Sequence, residues 1–174
     1  MNIIELAREV GVESDLTPSL LKELFLYDDG VLRWKVSLSN RGQQGTVAGS
    51  IDGNGYTQIM INGKRYKAHR LIYLMFNGAL PAVIDHRNGV RNDNRIENLR
   101  AATLSGNASN AKTKAANTSG AKNVFWHKRR GKWYVAVSQN NKSVHCGYFE
   151  NFDDAKLAAA AARAKFYGEF ANHE

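Results

Sequence analysis

The chain has 174 residues, and its 24 lysines and arginines exceed its 16 aspartates and glutamates, which gives a net charge of +8. Hydrophobic residues make up 43% of the chain, which excludes a wholly disordered protein. The single cysteine, Cys146, excludes an intramolecular disulfide framework and a zinc site built from several cysteines. No apolar stretch approaches the roughly 20 residues that span a bilayer, and the acidic N-terminus is unlike a signal peptide. We therefore expect a soluble, cytoplasmic protein without a membrane partner.

The charge is unevenly distributed along the chain. Residues 1–30 contain two basic and seven acidic residues, whereas residues 108–149 contain eight basic residues and no acidic one. A long basic stretch without carboxylates is suited to binding a polyanion such as nucleic acid. Each phosphate that a lysine or arginine neutralises releases counterions, which strengthens binding. The alternative is a basic face that is merely solvated. The pattern favours nucleic acid as a partner.

The first half of the chain predicts short helices and strands. Thr17 and Pro18 are typical of a helix start, and the apolar spacing that follows extends from Ser19 to Leu26. A turn at residues 27–30 leads into a strand over residues 31–35. Residues 55–67 predict a hairpin around Asn62 and Gly63, because both residue types tolerate positive φ. Residues 69–76 then predict a short apolar helix.

The second half predicts two further groups of elements. A short strand at residues 83–84 leads into Asp85 and His86, a turn-rich loop follows to residue 95, and residues 96–100 return the chain. A helical segment is expected from Thr103, and residues 111–122 are small, polar and basic, as in a linker. Beyond it come three strands, at 124–127, 132–138 and 143–149, and turns at 130–131 and 140–141. A helix over 154–167, capped by Asp153, follows. Its alanines at 158–162 are explained by helix propensity alone, and they would also let the helix lie close on a sheet.

Asp85 and His86 are the pair with the clearest chemical potential. At a strand end, a carboxylate and an imidazole can flank one phosphate, the first on a metal ion and the second on a water molecule. The surrounding segment is rich in asparagine, whose carbonyl oxygen suits hard cations. Such a pair also occurs as a purely structural feature, and the pair alone leaves both interpretations open.

The segment around this pair resembles a known family. The segments 68–71 (AHRL), 83–89 (VIDHRNG) and 92–100 (NDNRIENLR) are similar to those of HNH endonucleases, closest to the phage homing branch. The resemblance runs from about residue 55 to residue 110. It implies a ββα-metal fold, in which a two-stranded hairpin and a following helix clasp one divalent cation.

The resemblance also implies roles for individual residues. Asp85 and Asn107 would ligate the metal, and His86 would be the general base that activates water. Asn98 would brace the loop and help to orient the histidine. An oxygen ligand at Asn107 favours Mg²⁺ or Mn²⁺ over Zn²⁺, and no small-molecule cofactor is expected. His69 lies outside this set and is either structural or phosphate-facing.

A second resemblance covers residues 117–172. The Ser-Gly pair at 119–120, the segments 124–126 (VFW), 132–136 (KWYVA) and 147–149 (GYF), and the alanine-rich helix are similar to an APETALA-type (ethylene-response-factor) DNA-binding domain. That family places a three-stranded sheet in the major groove. The alternative for the tryptophans is the core of the sheet. The residues expected to contact DNA, two of them in the HNH-like part, are Trp126, Lys128, Arg129, Arg130, Lys132, Trp133, Arg87 and Arg91.

Together these patterns predict an α+β chain. We expect an N-terminal helical segment (1–30), a ββα-metal HNH nuclease domain (31–110), a basic linker (111–118), and a three-stranded antiparallel sheet packed on one helix (119–174). The predicted function is a site-selective, homing-type DNA endonuclease that uses one divalent ion and nicks one strand of double-stranded DNA per active site. It would act as a monomer or weak dimer, in the host cytoplasm if phage-encoded. The alternatives are a non-catalytic DNA-binding regulator with an HNH-like scaffold, and an RNA-binding or structural protein.

Overall fold

The computed structural model describes residue 5 and residues 13–38, 42–103, 117–139 and 142–171. The chain forms two compact units, divided between Ala101 and Ala102. The helices of the described ranges are α1 (Pro18–Leu24), α2 (Ala68–Asn77) and α3 (Phe152–Tyr167), and none of them is long and apolar enough to cross a membrane. The strands are β1 (Phe25–Asp28), β2 (Val31–Trp34), β3 (Ser50–Ile51), β4 (Thr57–Ile61), β5 (Lys64–Lys67), β6 (Val83–His86), β7 (Leu99–Ala102), β8 (Val124–His127), β9 (Lys132–Gln139) and β10 (Lys142–Phe149).

Helix α1 begins as predicted and ends earlier than predicted. The hydroxyl of Thr17 accepts a hydrogen bond from the backbone N–H of Leu20 at 3.1 Å, and Pro18 occupies the first turn. The helix stops at Leu24, so the predicted continuation to Leu26 is wrong. The next four residues form β1, which pairs antiparallel with β2.

The early end of α1 has a tertiary cause. Phe25 is directly opposite Trp34 across the β1–β2 pair, and their ring centroids are 4.6 Å apart. Both rings are buried. Packing of this aromatic cross-strand pair outweighs the weak local preference for another helical turn. The predicted strand after the turn is confirmed as β2.

The predicted hairpin and apolar helix are both confirmed. Strands β4 and β5 pair antiparallel around Asn62 and Gly63, whose φ values of 46° and 73° suit a tight hairpin turn. Strand β3 extends this sheet in the order β3-β4-β5. Helix α2 follows β5 directly and ends at Gly78, which adopts φ 78°.

One hydrophobic core serves the whole first unit. Its fully buried side chains come from α1, β2, β4 and α2: Leu21, Leu24, Leu32, Ile59, Ile61, Leu71 and Ile72. The N-terminal helix therefore shares its core with the elements that carry the Asp-His pair. The two-unit division falls before the predicted linker at 111–118, most of which lies outside the described residues, as does the helical segment predicted beyond Thr103.

The glycine of the β1–β2 turn brings that hairpin against the loop after β6. Gly30 has φ +88°, and a Cβ there would lie 2.6 Å from the backbone nitrogen of Arg95. Gly45 has a similar φ of +83° with no heavy atom within 4 Å of its Cβ position. Gly45→Ala should therefore cost only the left-handed strain of about 1–2 kcal/mol. Gly30→Ala should lower the free energy of unfolding by clearly more, as measured by urea denaturation. Equal losses in the two variants would contradict the close approach.

The second unit has the architecture predicted for residues 119–174. Strands β8, β9 and β10 form an antiparallel sheet in the order β10-β9-β8, and α3 packs on one face of it. Ala155, Ala159 and Ala162 of α3 are buried, which confirms the close approach expected of a small-residue face. The turn predicted at 140–141 lies outside the described residues.

The cap of α3 differs from the prediction. The side-chain oxygen of Asn151 accepts hydrogen bonds from the backbone N–H groups of Asp153 and Asp154, at 2.7 and 3.4 Å. Asn151 is therefore the N-cap, and the predicted cap at Asp153 is wrong. Asparagine and aspartate both cap helices well. The helix begins at Phe152, two residues before the predicted start at Asp154.

Candidate active site

Strand β6 carries Asp85 and His86 as consecutive, buried residues. Their exposed fractions are 4% and 5%. Strand β6 pairs with β7 in a two-stranded sheet, and the loop at 87–95 and a short 3₁₀ turn at Ile96–Asn98 join the two strands. The predicted ββα-metal arrangement would use this two-stranded sheet, and it stays a prediction. Its third element would fall on residues outside those described.

Asp85 forms a buried ion pair with Arg100 of β7. One carboxylate oxygen, Oδ2, accepts hydrogen bonds from Nε at 2.8 Å and from Nη2 at 2.7 Å. The two side chains are only 5% and 6% exposed, so little water screens their attraction. The pair joins β6 to β7 and fixes the orientation of the carboxylate. The sequence analysis predicts no role for Arg100, although this residue is the last one of the segment 92–100 that resembles HNH endonucleases.

His86 is held by Asn94, a second residue that sequence reasoning did not single out. Nε2 of His86 lies 3.1 Å from Oδ1 of Asn94, and both side chains are buried. An amide oxygen only accepts hydrogen bonds, so Nε2 carries the proton in this contact. In the neutral ring the basic lone pair then lies on Nδ1. The sequence shows that this loop is rich in asparagine. It does not show which asparagine reaches His86.

Asn98 braces the loop between the two strands. Its Oδ1 accepts from the backbone N–H of Asn88 at 3.1 Å, and its Nδ2 donates to Oδ1 of Asn88 at 3.0 Å and to the carbonyl of Asp93 at 2.7 Å. A single side chain thus satisfies groups at both ends of the loop. The contacts of Asn98 lie within the loop, and its predicted role in orienting His86 stays a prediction.

The loop contains a further ion pair. The guanidinium of Arg95 donates to both carboxylate oxygens of Asp93, at 2.8 and 2.7 Å. This hydrogen-bonded pair, aided by the amide of Asn88, holds the pKa of Asp93 well below its usual range. The loop that carries Asn94 is therefore stiffened by several local contacts.

His69 of α2 packs against the ring of His86. The two ring centroids are 5.1 Å apart in an edge-to-face arrangement, and Tyr56 lies 5.3 Å from His69 on another side. Burial, with smaller contributions from His86 and neighbouring cations, lowers the pKa of His69 to about 3. The ring is therefore neutral at pH 7. Its Nδ1 atom is buried without a hydrogen-bond partner.

The buried His69 predicts a pH dependence of stability. Its pKa falls from an ordinary 6.5 to about 3 in the fold, so the unfolded chain binds a proton that the folded chain excludes. The contribution of neutral His69 to the free energy of unfolding is fully present above pH 6.5 and decreases as the pH falls toward 3. At pH 5 the contribution is about 2 kcal/mol smaller than at pH 7. Urea denaturation at the two pH values should show this loss in the wild type and a smaller one in His69→Phe. The same loss in both proteins would contradict the assignment.

Arg91 lies at the rim of the same group. Its guanidinium is 5.2 Å from the ring centroid of Tyr56, and its Nη1 donates to the carbonyl of Asn54 at 2.8 Å. The Tyr56 ring is itself 6.1 Å from that of His86. The ring of Tyr56 therefore lies between the guanidinium of Arg91 and the ring of His86. Arg87 is exposed, and its backbone N–H donates to the carbonyl of Asn98 at 2.9 Å.

The six DNA-contact candidates of the second unit divide into two groups. Trp133 packs on Phe152 at a ring distance of 4.6 Å and on Trp126 at 5.0 Å, so it belongs partly to the core, while Trp126 is half exposed. The others form a basic cluster at the turn between β8 and β9: Lys128, Arg129, Arg130 and Lys132. Of these, Lys132 contacts the carboxylate of Glu150 at 3.1 Å.

Asn107, the second predicted metal ligand, lies outside the described residues. Within the described part of the chain, no group of three or more histidine, cysteine, aspartate or glutamate side chains could hold a metal ion. Asp85 is the carboxylate at the site, and its charge is shared with Arg100. This donor set fits a hard cation such as Mg²⁺, which is commonly held by one or two carboxylates, waters and substrate phosphates. It does not fit a closed zinc cage.

Residues 66–109 match the HNH endonuclease family. The match spans α2, β6, the loop and β7, and thus includes the Asp-His pair, Asn94, Asn98 and Arg100. The chain therefore contains an HNH endonuclease domain, which confirms that resemblance over most of its predicted length.

A relative from a phage extends this assignment. Over 116 residues the chain is 33% identical to "Protein 3.8" of Escherichia phage T7, an alignment that covers 61% of this chain and 91% of that protein. The chain belongs to the same family as that phage protein. No solved structure matches the chain. The homing type and the APETALA-type resemblance stay predictions.

Proposed function

We propose that the chain is a divalent-metal-dependent DNA endonuclease that hydrolyses one phosphodiester per active site. The observation that carries this proposal is the buried Asp85–His86 pair within the HNH endonuclease domain, with His86 held at Nε2 by Asn94. That contact leaves the basic lone pair on Nδ1, as a general base requires.

His86 would accept a proton from the attacking water through Nδ1. Asn94 fixes the plane of the ring, and the neutral His69 packed beside it adds no charge that would oppose the proton. Asp85 and Asn107 would hold the ion, with Mg²⁺ or Mn²⁺ favoured by their oxygen donors. When bound, such an ion stabilises the charge that develops on the phosphate and on the leaving 3′ oxygen.

Double-stranded DNA would be positioned by cations on each unit. In the first unit, Arg91 at the rim and the exposed Arg87 would contact phosphates near the cut. In the second unit, the basic cluster at residues 128–132 and the half-exposed Trp126 would supply further contacts and site selectivity. Phosphate contacts of this kind position DNA, and base contacts specify the sequence.

A non-catalytic DNA-binding regulator is the second candidate. The observation that favours it is the pairing of Asp85 with Arg100, because an ion-paired carboxylate also serves as a purely structural link between strands. Such a protein would bind DNA equally well with and without a divalent ion and would leave it intact.

Incubation with supercoiled plasmid, and with DNA from the source genome, tests the proposal. Hydrolysis with a leaving 3′ oxygen gives a 5′ phosphate and a 3′ hydroxyl, so DNA ligase should reseal the open circles formed with Mg²⁺. EDTA should prevent their formation. Intact DNA under all conditions would favour the regulator, and nicks that ligase cannot seal would contradict the proposed mechanism.

A further inference from the structure

The sheet of the second unit has one covered and one open face. Side chains alternate along a strand, and residues opposite each other on paired strands share a face. Val124, Val135 and Trp133 lie on the face that packs against α3. The intervening residues of the three strands lie on the opposite face, which we call the open face. Its aromatic side chains are Phe125, His127, Tyr134, His145 and Tyr148.

These five rings form one continuous cluster. Tyr134 is at its centre, with its ring centroid 5.0 Å from that of His145 in a parallel stack and 5.4 Å from that of Tyr148. His127 contacts Tyr148 edge to face at 5.4 Å, and Phe125 lies 6.2 Å from Tyr134. Phe125 is 49% exposed and His145 is exposed. The rings pack against each other, so the binding surface is preorganised before a ligand binds.

The open face is bordered by positive charge. The turn between β8 and β9 carries Lys128, Arg129 and Arg130, and the guanidinium of Arg130 lies 4.5 Å from the ring centroid of Tyr148. Residues 117–149 include six lysines and arginines and no aspartate or glutamate. Aromatic rings next to a cluster of cations match a ligand that combines flat, apolar groups with phosphates.

We propose that the open face binds single-stranded nucleic acid, with unpaired bases stacking on its rings and phosphates contacting the basic turn. Bases in a duplex already stack on each other, so their faces are unavailable to protein rings, whereas unpaired bases can stack on aromatic side chains. None of β8, β9 and β10 contains an arginine, the residue that most often reads guanine in the major groove.

This site goes beyond the proposed endonuclease and does not depend on it. It uses the face opposite Trp133, and none of its five rings is among the residues expected to contact duplex DNA, whereas the basic turn is common to both interfaces. DNA and RNA single strands share the chemistry that the open face recognises, and the 2′-hydroxyl is the difference between them.

Fluorescence anisotropy of the full chain in EDTA, which removes divalent ions, tests this site. The probes are labelled (dT)20, (U)20 and a 20-base-pair duplex. The wild type should bind at least one of the two single strands, and stronger binding of (dT)20 or of (U)20 identifies the preferred strand type. The duplex probe reports the binding that the endonuclease proposal expects of the full chain. Failure to bind either single strand would overturn the open-face proposal.

Substitutions separate stacking from charge. Tyr134→Leu and Tyr148→Leu keep apolar volume and remove the ring, and each should weaken single-strand binding by about 5- to 100-fold, the range of one lost stacking contact. Tyr134→Phe keeps the ring and should bind like the wild type. Phe76→Ala, which removes an exposed ring of the first unit, is the matched control. Leucine variants that melt like the wild type and bind like Phe76→Ala would overturn the proposal. If the leucine variants melt at a lower temperature than the wild type, Tyr134→Phe decides the question. Loss of single-strand binding by this variant, which keeps the ring, would then overturn the proposal.

Discussion

Replacing His86 with alanine should lower the rate of DNA cleavage by about 10²–10⁴-fold, the usual contribution of a general base. The variant loses the Nδ1 lone pair that would accept the proton of water, whereas Asp85 and the cations that contact DNA are retained. DNA affinity, measured in EDTA, should therefore stay close to that of the wild type. Single-turnover cleavage at saturating protein measures the effect.

Two controls make this result specific. Added imidazole should partly restore cleavage by His86→Ala, because it can replace the missing base. Asn94→Ala removes the hydrogen bond that orients the ring and retains the ring itself, so its rate should lie between those of the wild type and His86→Ala. His86→Ala that cuts at the wild-type rate would remove His86 as the base.

Arg100→Met should lower the free energy of unfolding of the first unit by about 3–5 kcal/mol. The substitution leaves the buried carboxylate of Asp85 without the two hydrogen bonds from the guanidinium. Methionine has a similar length and no charge, so the loss reports the ion pair more than a cavity. Urea denaturation followed by tryptophan fluorescence measures it, since Trp34 is buried in the same unit.

The double variant Asp85→Leu/Arg100→Met tests whether the loss comes from an unpaired charge. Replacing both partners with apolar side chains removes the buried charge altogether, so the double variant should be more stable than Arg100→Met. It should also be inactive, because the proposed metal ligand is gone. A loss below about 1 kcal/mol in Arg100→Met would be typical of an exposed pair and would contradict the buried arrangement.

The elements around the site could be predicted because their signals are local. The Asn62–Gly63 turn, the apolar spacing of α2 and the short strand before Asp85 each depend on neighbouring residues. The three strands of the second unit were equally clear from alternating side chains and turn residues. The HNH resemblance itself depends on spacing, and the family match over residues 66–109 supports it.

The contacts within the site could not be predicted, because they join residues that are separated in sequence. Arg100 reaches Asp85 across 15 positions, and its role depends on the pairing of β6 with β7. Asn94 is one of several asparagines in its loop, and only the folded loop determines which of them reaches His86. The end of α1 at Leu24 was missed for the same reason, since Phe25 packs on Trp34 of another strand.

We propose that the Asp85–His86 pair of the HNH domain cleaves DNA with the help of a divalent ion. The most direct test is one plasmid assay with four samples: the wild type and His86→Ala, each with Mg²⁺ and with EDTA, at equal fractions of bound DNA. We expect open circles with the wild type and Mg²⁺ and intact supercoils in the other three samples over the same time. Open circles formed equally by His86→Ala, or by the wild type in EDTA, would contradict this proposal.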